Sequence, residues 1–145
     1  MLITDRKVTS TAASVGDLVA RLPSIDTTEM NNIFNSTVIN MAPNDFADTR
    51  IRVTSIVYAA DGVTPSVDWS RSTANWTAHT AGNVMTVPPG IIPTDGSVVF
   101  TEVEFDYSSI TGLYDPNTGF LFDVSRTMTD DYYARPRRVD IIPFT

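Results

Sequence analysis

Residues 97–107, SVVFTEVEFDY, carry the pattern that decides the fold. Side chains suited to a core alternate along this stretch with three carboxylates, Glu102, Glu104 and Asp106. Successive side chains of a β-strand point to opposite faces of the sheet, so a period of two predicts a strand with one buried and one solvated face. The face predicted to be buried carries Val99, Thr101, Val103, Phe105 and Tyr107. The pattern is typical of an antiparallel sheet covered on one side.

Four further segments predict strands of the same sheet. In chain order they are TRIRVTSIVYA at 49–59, SVDWSR at 66–71, FLFDVSRTM at 120–128 and VDIIPF at 139–144. The alternating residues within them are Ile51, Val53, Ser55 and Val57, then Phe120, Phe122, Val124 and Met128. Asp61-Gly62 and the segment DPNTG at 115–119 have turn composition and separate neighbouring strands. VDIIPF is predicted to close the sheet.

The N-terminal segment predicts a helix over residues 6–22, because its apolar residues recur at steps of three and four. The members of this stripe are Val8, Ala12, Val15, Val19 and Leu22. Pro23 disfavours the helical conformation at Leu22 and ends the helix. A helix of about fifteen residues is marginal by itself in water, so this one must pack against another surface.

A second helix is predicted directly after the first. Asp26 and Glu29, three residues apart, are typical of a capping pair at a helix N-terminus. An apolar stripe follows and ends before Pro43; it consists of Met30, Ile33, Phe34, Val38 and Met41.

These segments predict one domain of α+β class, in which two helices cover one face of an antiparallel sheet. The chain of 145 residues is long enough for one domain with its own core. The helical part spans about residues 6–42 and the sheet part about 48–145. No glycine- or proline-rich linker divides the two.

Composition excludes several classes of function. Seventeen acidic residues against ten basic ones give a formal charge of −7, which repels a phosphate backbone and argues against nucleic-acid binding. The absence of cysteine excludes disulfides, thiolate metal sites and cysteine nucleophiles. No apolar run approaches the length of a membrane span. The one basic cluster, ARPRR at 134–138, is interpreted as a solvated face or a set of ion-pair donors.

Two sets of residues are candidates for catalytic groups, and neither is favoured. His79 is the only histidine, but the chain has no G-x-S-x-G nucleophile motif beside which it would act as a base. Glu102 and Glu104 would lie about 7 Å apart on one strand face, close to the spacing of glycosidase carboxylates. A solvated sheet face explains them more simply. The residues therefore predict a protein that is not an enzyme and has no cofactor.

Two binding functions remain open for a protein that is not an enzyme. Asp115 and Asn117 have the spacing of a calcium loop, although the glycine and the closing glutamate of such a loop are missing. Trp69 and Trp76, in WSRSTANW, would suit a sugar-stacking platform or the edge of a core. The second pair makes an extracytoplasmic carbohydrate-binding module the alternative function.

Three stretches together resemble the TadE-like pilus assembly proteins of the tight-adherence pilus. They are DRKVTSTAASVGDLVARLP at 5–23, RIRVTSIVYAADGVTPSVDWSR at 50–71 and YDPNTGFLFDVSRTMTDDYYARPRR at 114–138. The first is similar to the helix that follows the membrane segment in that family. The second is similar to its strand, turn and tryptophan-containing strand, and the third to its closing hairpin with an A-R-P-R tail.

The resemblance implies a minor-pilin-like, pilin-fold ectodomain that acts by packing and not by chemistry. It implies pilin-like partners, an inner-membrane anchor preceding the helix and an ectodomain in the periplasm or within the surface pilus. A small-molecule substrate is not expected. The stripe Val8, Ala12, Val15, Val19 and Leu22 would line either the groove against the second helix and sheet or the seam with neighbouring subunits.

Overall fold

The computed structural model describes residues 2–41, 49–74, 76–115 and 120–145. Two helices are followed by four strands, which form one antiparallel sheet of order β2-β1-β3-β4. The elements are α1 (Leu2–Ala20), α2 (Thr27–Met41), β1 (Thr49–Tyr58), β2 (Pro65–Ser72), β3 (Ser97–Asp115) and β4 (Phe120–Ala134). This arrangement confirms the predicted α+β class.

The helices cover one face of the sheet, and the core lies between the two layers. The alternation along β3 is confirmed: Val99, Thr101, Val103 and Phe105 are buried toward this side. From β1 the core receives Ile51 and Val53, and from α2 it receives Met30 and Phe34. The side chain of Tyr107 lies outside the described set.

α1 lies close to the sheet because residue 16 has no side chain. A Cβ built on Gly16 would stand 2.7 Å from Cδ1 of Tyr132 and 3.2 Å from Oγ1 of Thr101. The phenolic oxygen of Tyr132 in turn reaches Asp17 at 3.4 Å. The helix begins four residues earlier than predicted and ends at Ala20, two residues before the predicted end at Leu22.

The predicted cap of α2 is confirmed. The backbone N–H of Glu29 donates to the Asp26 carboxylate at 2.7 Å, and the N–H of Met30 donates to the Asp26 carbonyl at 3.0 Å. Such a cap satisfies N–H groups that the first helical turn leaves without partners.

The C-terminal segment corrects one prediction. VDIIPF is not a strand of the sheet, whose order is β2-β1-β3-β4. Residues 139–145 instead run outside it: a parallel bridge joins Phe144 to Ile25 between the helices, and Trp69 of β2 and Ser97 of β3 donate hydrogen bonds to the segment. Pro143 has no N–H that it could donate to a β-ladder. The carbonyls of Asp140, Ile142 and Pro143 accept hydrogen bonds from three separate parts of the chain, at Ser97, Trp69 and Ile25.

The sheet face away from the helices is covered in part by the connection between β2 and β3. Ile92 of this connection packs against Ile56, Val98 and Phe100, and the ring of Phe100 stacks on Tyr133 at 4.5 Å between centroids. The other half of this face is polar. We call it the polar face; its members are Arg50, Arg52, Glu102, Glu104 and Asp131.

The β3–β4 hairpin extends past the rest of the sheet. Pairing of β1 with β3 ends at Thr49 and Phe105, whereas pairing of β3 with β4 continues to Asp115 and Phe120. The two strands therefore project as a ribbon about 30 Å long.

Candidate functional site

The middle of the α1 stripe is interior to this chain. Ala12, Val15 and Val19 are buried against the sheet, and Val15 and Val19 have no exposed surface. Leu22 is partly buried against the same core, and the side chain of Val8 lies outside the described set. The structure therefore supports the first of the two predicted roles at these three positions, packing against the second helix and the sheet, and another chain cannot reach them while the domain is folded.

The helix layer nevertheless presents an apolar surface on its outer side. Leu18 is 44% exposed, one residue before a core position of the same helix. It lines a shallow groove of about 210 Å³ between the helices together with Leu22 and Ile33, and Glu29 and Asn32 form the polar border. We call this the α1–α2 groove. It adjoins the predicted stripe but shares only Leu22 with it.

Arg52 organises the polar face of the sheet. Its guanidinium makes two hydrogen bonds of 2.9 Å to the Glu102 carboxylate and one of 3.0 Å to the carbonyl of Thr77. The same group lies 4.1 Å from the ring centroid of Trp76, within cation–π range. Arg52 thus joins β1, β3 and the connection after β2. A second cross-strand pair, Arg50 with Glu104 at 3.4 Å, lies beside it.

His79 contacts Glu102 and not a nucleophile. Its Nε2 lies 3.2 Å from the Glu102 carboxylate, and its backbone N–H donates to the Ser70 hydroxyl at 3.1 Å. The Ser70 hydroxyl is bonded in turn to Thr54 at 3.0 Å. Among the described residues, the imidazole is thus hydrogen-bonded to Glu102 and not to a serine hydroxyl, as a Ser-His-Asp arrangement would require.

Glu102 and Glu104, the candidate catalytic pair, both form ion pairs. Glu102 is held by Arg52 and contacted by His79, and Glu104 is held by Arg50. A glycosidase pair needs one carboxyl in an environment that keeps it protonated. Both carboxylates here are instead bound to an arginine and partly exposed.

An acidic cleft of about 490 Å³ opens beside this cluster. It is lined by Trp76, Glu102, Val103, Glu104, Thr129, Asp130 and Asp131. Burial raises the pKa of the nearby Tyr133 phenol, and the negative charges of Asp131 and Glu102 raise it further. The described residues include no group of three or more histidine or acidic side chains placed to hold a metal ion. Asp115 ends β3, and Asn117 lies outside the described residues.

The structure does not bring Trp69 and Trp76 together. Trp69 is 6% exposed and packs in the core on the helix side, where its Nε1–H donates to the carbonyl of Ile142 at 2.7 Å. Trp76 lies on the opposite side of the sheet, against Arg52. A sugar-stacking platform made of both rings is therefore not formed.

The charged cluster on the polar face was not predicted, although the sequence contains a signal for it. R-I-R in β1 and E-V-E in β3 repeat opposite charges at the same period of two, and the register places Arg50 opposite Glu104 and Arg52 opposite Glu102. Opposite charges that face each other across antiparallel strands stabilise the pair. To recognise these pairs from the sequence, one further fact was needed, namely that β3 lies next to β1.

The basic cluster of the tail has one defined role. The guanidinium of Arg137 lies 3.6 Å from Asp17, and its backbone N–H donates to the carbonyl of Ala20 at 2.9 Å. The second contact satisfies a carbonyl at the C-terminal end of α1. The ion-pair interpretation of the cluster is confirmed for this residue.

Within the described ranges, neither helix combines the length and the hydropathy that are needed to cross a membrane. No protein-family model, curated protein or solved structure matches the chain.

Proposed function

We propose that this domain is a non-enzymatic, minor-pilin-like component in the assembly of a tight-adherence pilus. The observation that carries the proposal is the packing of an N-terminal helix along one face of an antiparallel sheet, with Gly16 at the closest approach. A module of this kind acts through the surfaces that its helix layer and its sheet present.

The three stretches that carry the resemblance also contact each other, which supports the proposal. The first and third meet where Arg137 approaches Asp17 and the end of α1. The first and second share the core, in which Val15 and Val53 lie. Stretches that are each loosely similar to a family gain weight when they form one packed unit.

In this proposal the α1–α2 groove is the surface that neighbouring pilin-like subunits contact. Leu18 and Leu22 present apolar side chains there, and apolar anchors at the centre of an interface carry most of its binding energy. As the resemblance implies, a preceding hydrophobic segment would hold the domain at the inner membrane, with the sheet on the periplasmic side.

The test replaces Leu18→Asp and Leu22→Asp together in the cells that produce this protein. We expect the purified double variant to fold, because Leu18 is exposed and Leu22 only partly buried, and we expect sheared filaments to fall by about tenfold or more. Val84→Asp is the matched control, since Val84 is 71% exposed and lies away from the helix layer. It should leave filament yield unchanged.

Val15→Asp serves as a folding control. It places a charge in the core and should abolish folding, so its effect on filaments would say nothing about partners. Normal filament yield from a folded Leu18→Asp/Leu22→Asp variant would remove the α1–α2 groove from the mechanism. Absence of this protein from both the membrane and the filament fractions would contradict the pilus function itself.

A further inference from the structure

The C-terminal residues 139–145 lie in a groove formed by three separate parts of the chain. We call it the tail groove; its members are Ile25 between the helices, Trp69 and Arg71 of β2, and Ser97 of β3. None of these residues belongs to the α1–α2 groove or to the polar face.

The tail groove holds the main chain of the tail by hydrogen bonds. The N–H of Ile25 donates to the carbonyl of Pro143 at 3.1 Å, and its carbonyl accepts from the N–H of Thr145 at 2.9 Å. Trp69 Nε1–H donates to the carbonyl of Ile142, and the Ser97 hydroxyl donates to that of Asp140 at 3.0 Å. Such contacts bind an extended segment regardless of its side chains.

Two side chains of the tail supply specificity. Ile142 is completely buried. The ring of Phe144 lies 5.4 Å from that of Trp69 and 3.9 Å from the Arg71 guanidinium. Ile141 and Pro143, which alternate with them, are exposed. The groove therefore recognises an aliphatic residue and, two positions later, an aromatic one.

The tail is attached to this site without belonging to the sheet. Its bridge to Ile25 is isolated, so its departure would leave every β-ladder of the four strands intact. This is how a bound peptide relates to its receptor, with the difference that the peptide here is a segment of the same chain.

We infer that the tail groove is a peptide-binding site that also accepts the C-terminal tail of a second copy of this chain. A second copy carries a tail that makes the same contacts, so a reciprocal exchange forms a closed pair without any new contact. The chain's own tail has the advantage of its high effective concentration, of millimolar order for short linkers. Binding of a second tail can therefore be detected once the chain's own tail is held less tightly.

The test uses the full chain with Phe144→Ala, which removes an anchor of the chain's own tail and leaves the groove intact. The probe is a fluorescein-labelled peptide of residues 137–145, RRVDIIPFT, and binding is followed by fluorescence anisotropy. We expect saturable binding to the variant and binding at least about tenfold weaker to the unmodified chain. A control peptide with Asp in place of Ile142 and Ser in place of Phe144 should bind neither protein.

Circular dichroism first establishes that the variant is folded. A folded variant that binds the two peptides equally, or binds neither, would overturn the inference. If Phe144→Ala does not fold, the unmodified chain is used with the unlabelled peptide at about millimolar concentration. The NMR signal of the Trp69 indole N–H should then shift with RRVDIIPFT and not with the control peptide, and an unchanged signal would overturn it.

The second copy is tested directly with two unmodified chains of different mass. They are mixed and warmed below the unfolding transition, and native mass spectrometry should detect mixed dimers. The same pair carrying Ile142→Ser should form mixed dimers faster, because a tail that must leave before it can exchange is then held less tightly. Mixed dimers at equal rates from both pairs, or from neither, would overturn exchange through this site.

Discussion

At the scale of single residues, buried hydroxyl groups differ in whether they have a hydrogen-bond partner. Thr101 is fully buried at the α1 interface, and its hydroxyl has no hydrogen-bond partner among the described residues. Thr54 is equally buried on the same sheet, but its hydroxyl is bonded to Ser70 at 3.0 Å. Two threonines of similar burial should therefore respond oppositely to replacement by valine.

We expect Thr101→Val to raise the free energy of unfolding by about 1 kcal/mol, because a polar group without a partner leaves the core. Thr54→Val should lower it by about 1 kcal/mol, because a made hydrogen bond is lost. Urea unfolding of the three proteins measures both values. A destabilised Thr101→Val variant would show that this hydroxyl has a partner in solution.

Two aspartates near β2 should give opposite dependences of stability on pH. The Thr64 hydroxyl and the backbone N–H groups of Thr64 and Val63 donate to Asp61 and lower its pKa below the ordinary 3.8. Its contribution is complete above pH 3.8 and is lost as the pH falls through the lowered value. Burial instead raises the pKa of Asp68, so its ionised form opposes folding at neutral pH.

At pH 7 we therefore expect Asp61→Ala to lower the unfolding temperature and Asp68→Asn to raise it slightly. The Asp61→Ala difference should shrink as the pH falls below 3.8 through the lowered pKa. The Asp68→Asn difference should shrink earlier, as the pH falls through the raised pKa, and should be gone below 3.8. Thermal unfolding followed by circular dichroism at several pH values measures them. A difference that is constant with pH would exclude the charge as its cause.

At the scale of elements, the contact of α1 with the sheet depends on the glycine at its centre. Gly16→Ala should lower the free energy of unfolding by about 1–3 kcal/mol, since the methyl group would overlap Tyr132, and the better helix propensity returns only about 1 kcal/mol. Ser10→Ala is the control, because Ser10 is exposed on the same helix. Urea unfolding compares them. If Gly16→Ala were as stable as Ser10→Ala, the helix would have room to shift outward.

Elements with local signals were predictable from the sequence. The cap at Asp26, the turn at Asp61-Gly62 and the alternation of β3 each depend on residues a few positions apart. VDIIPF was wrongly predicted as a strand of the sheet, because a period of two describes any extended segment with one buried side. Only its partners, Ile25 and Trp69, distinguish a tail from a strand, and they lie far away in the chain.

The candidate site was predictable only in part for the same reason. Arg52 and Glu102 are fifty residues apart, and their pairing requires β3 to lie next to β1. The two tryptophan rings do not form one platform, because the chain crosses to the other side of the sheet between Trp69 and Trp76. Position along the chain contains no information about that crossing.

At the scale of the whole molecule, Trp69 joins β2 to residues 139–145. We expect Trp69→Phe to lower the free energy of unfolding by about 1–3 kcal/mol, because it leaves the carbonyl of Ile142 without a donor. Trp76→Phe is the matched control and should cost less than about 1 kcal/mol, since a phenyl ring can still lie under Arg52. Far-UV circular dichroism in urea measures both. Equal losses would mean that the tail does not depend on this hydrogen bond.

The packing of α1 also fixes the order in which the molecule can be completed during synthesis. α1 is translated before the sheet, but Tyr132, which lies against Gly16 and bonds to Asp17, is translated 115 residues after Asp17. At about 5–20 residues per second, that delay is roughly 6–23 seconds. The contact of Gly16 and Asp17 with Tyr132 therefore forms only after nearly all of the domain has been translated, and until then the part of α1 that β4 covers is open to chaperones.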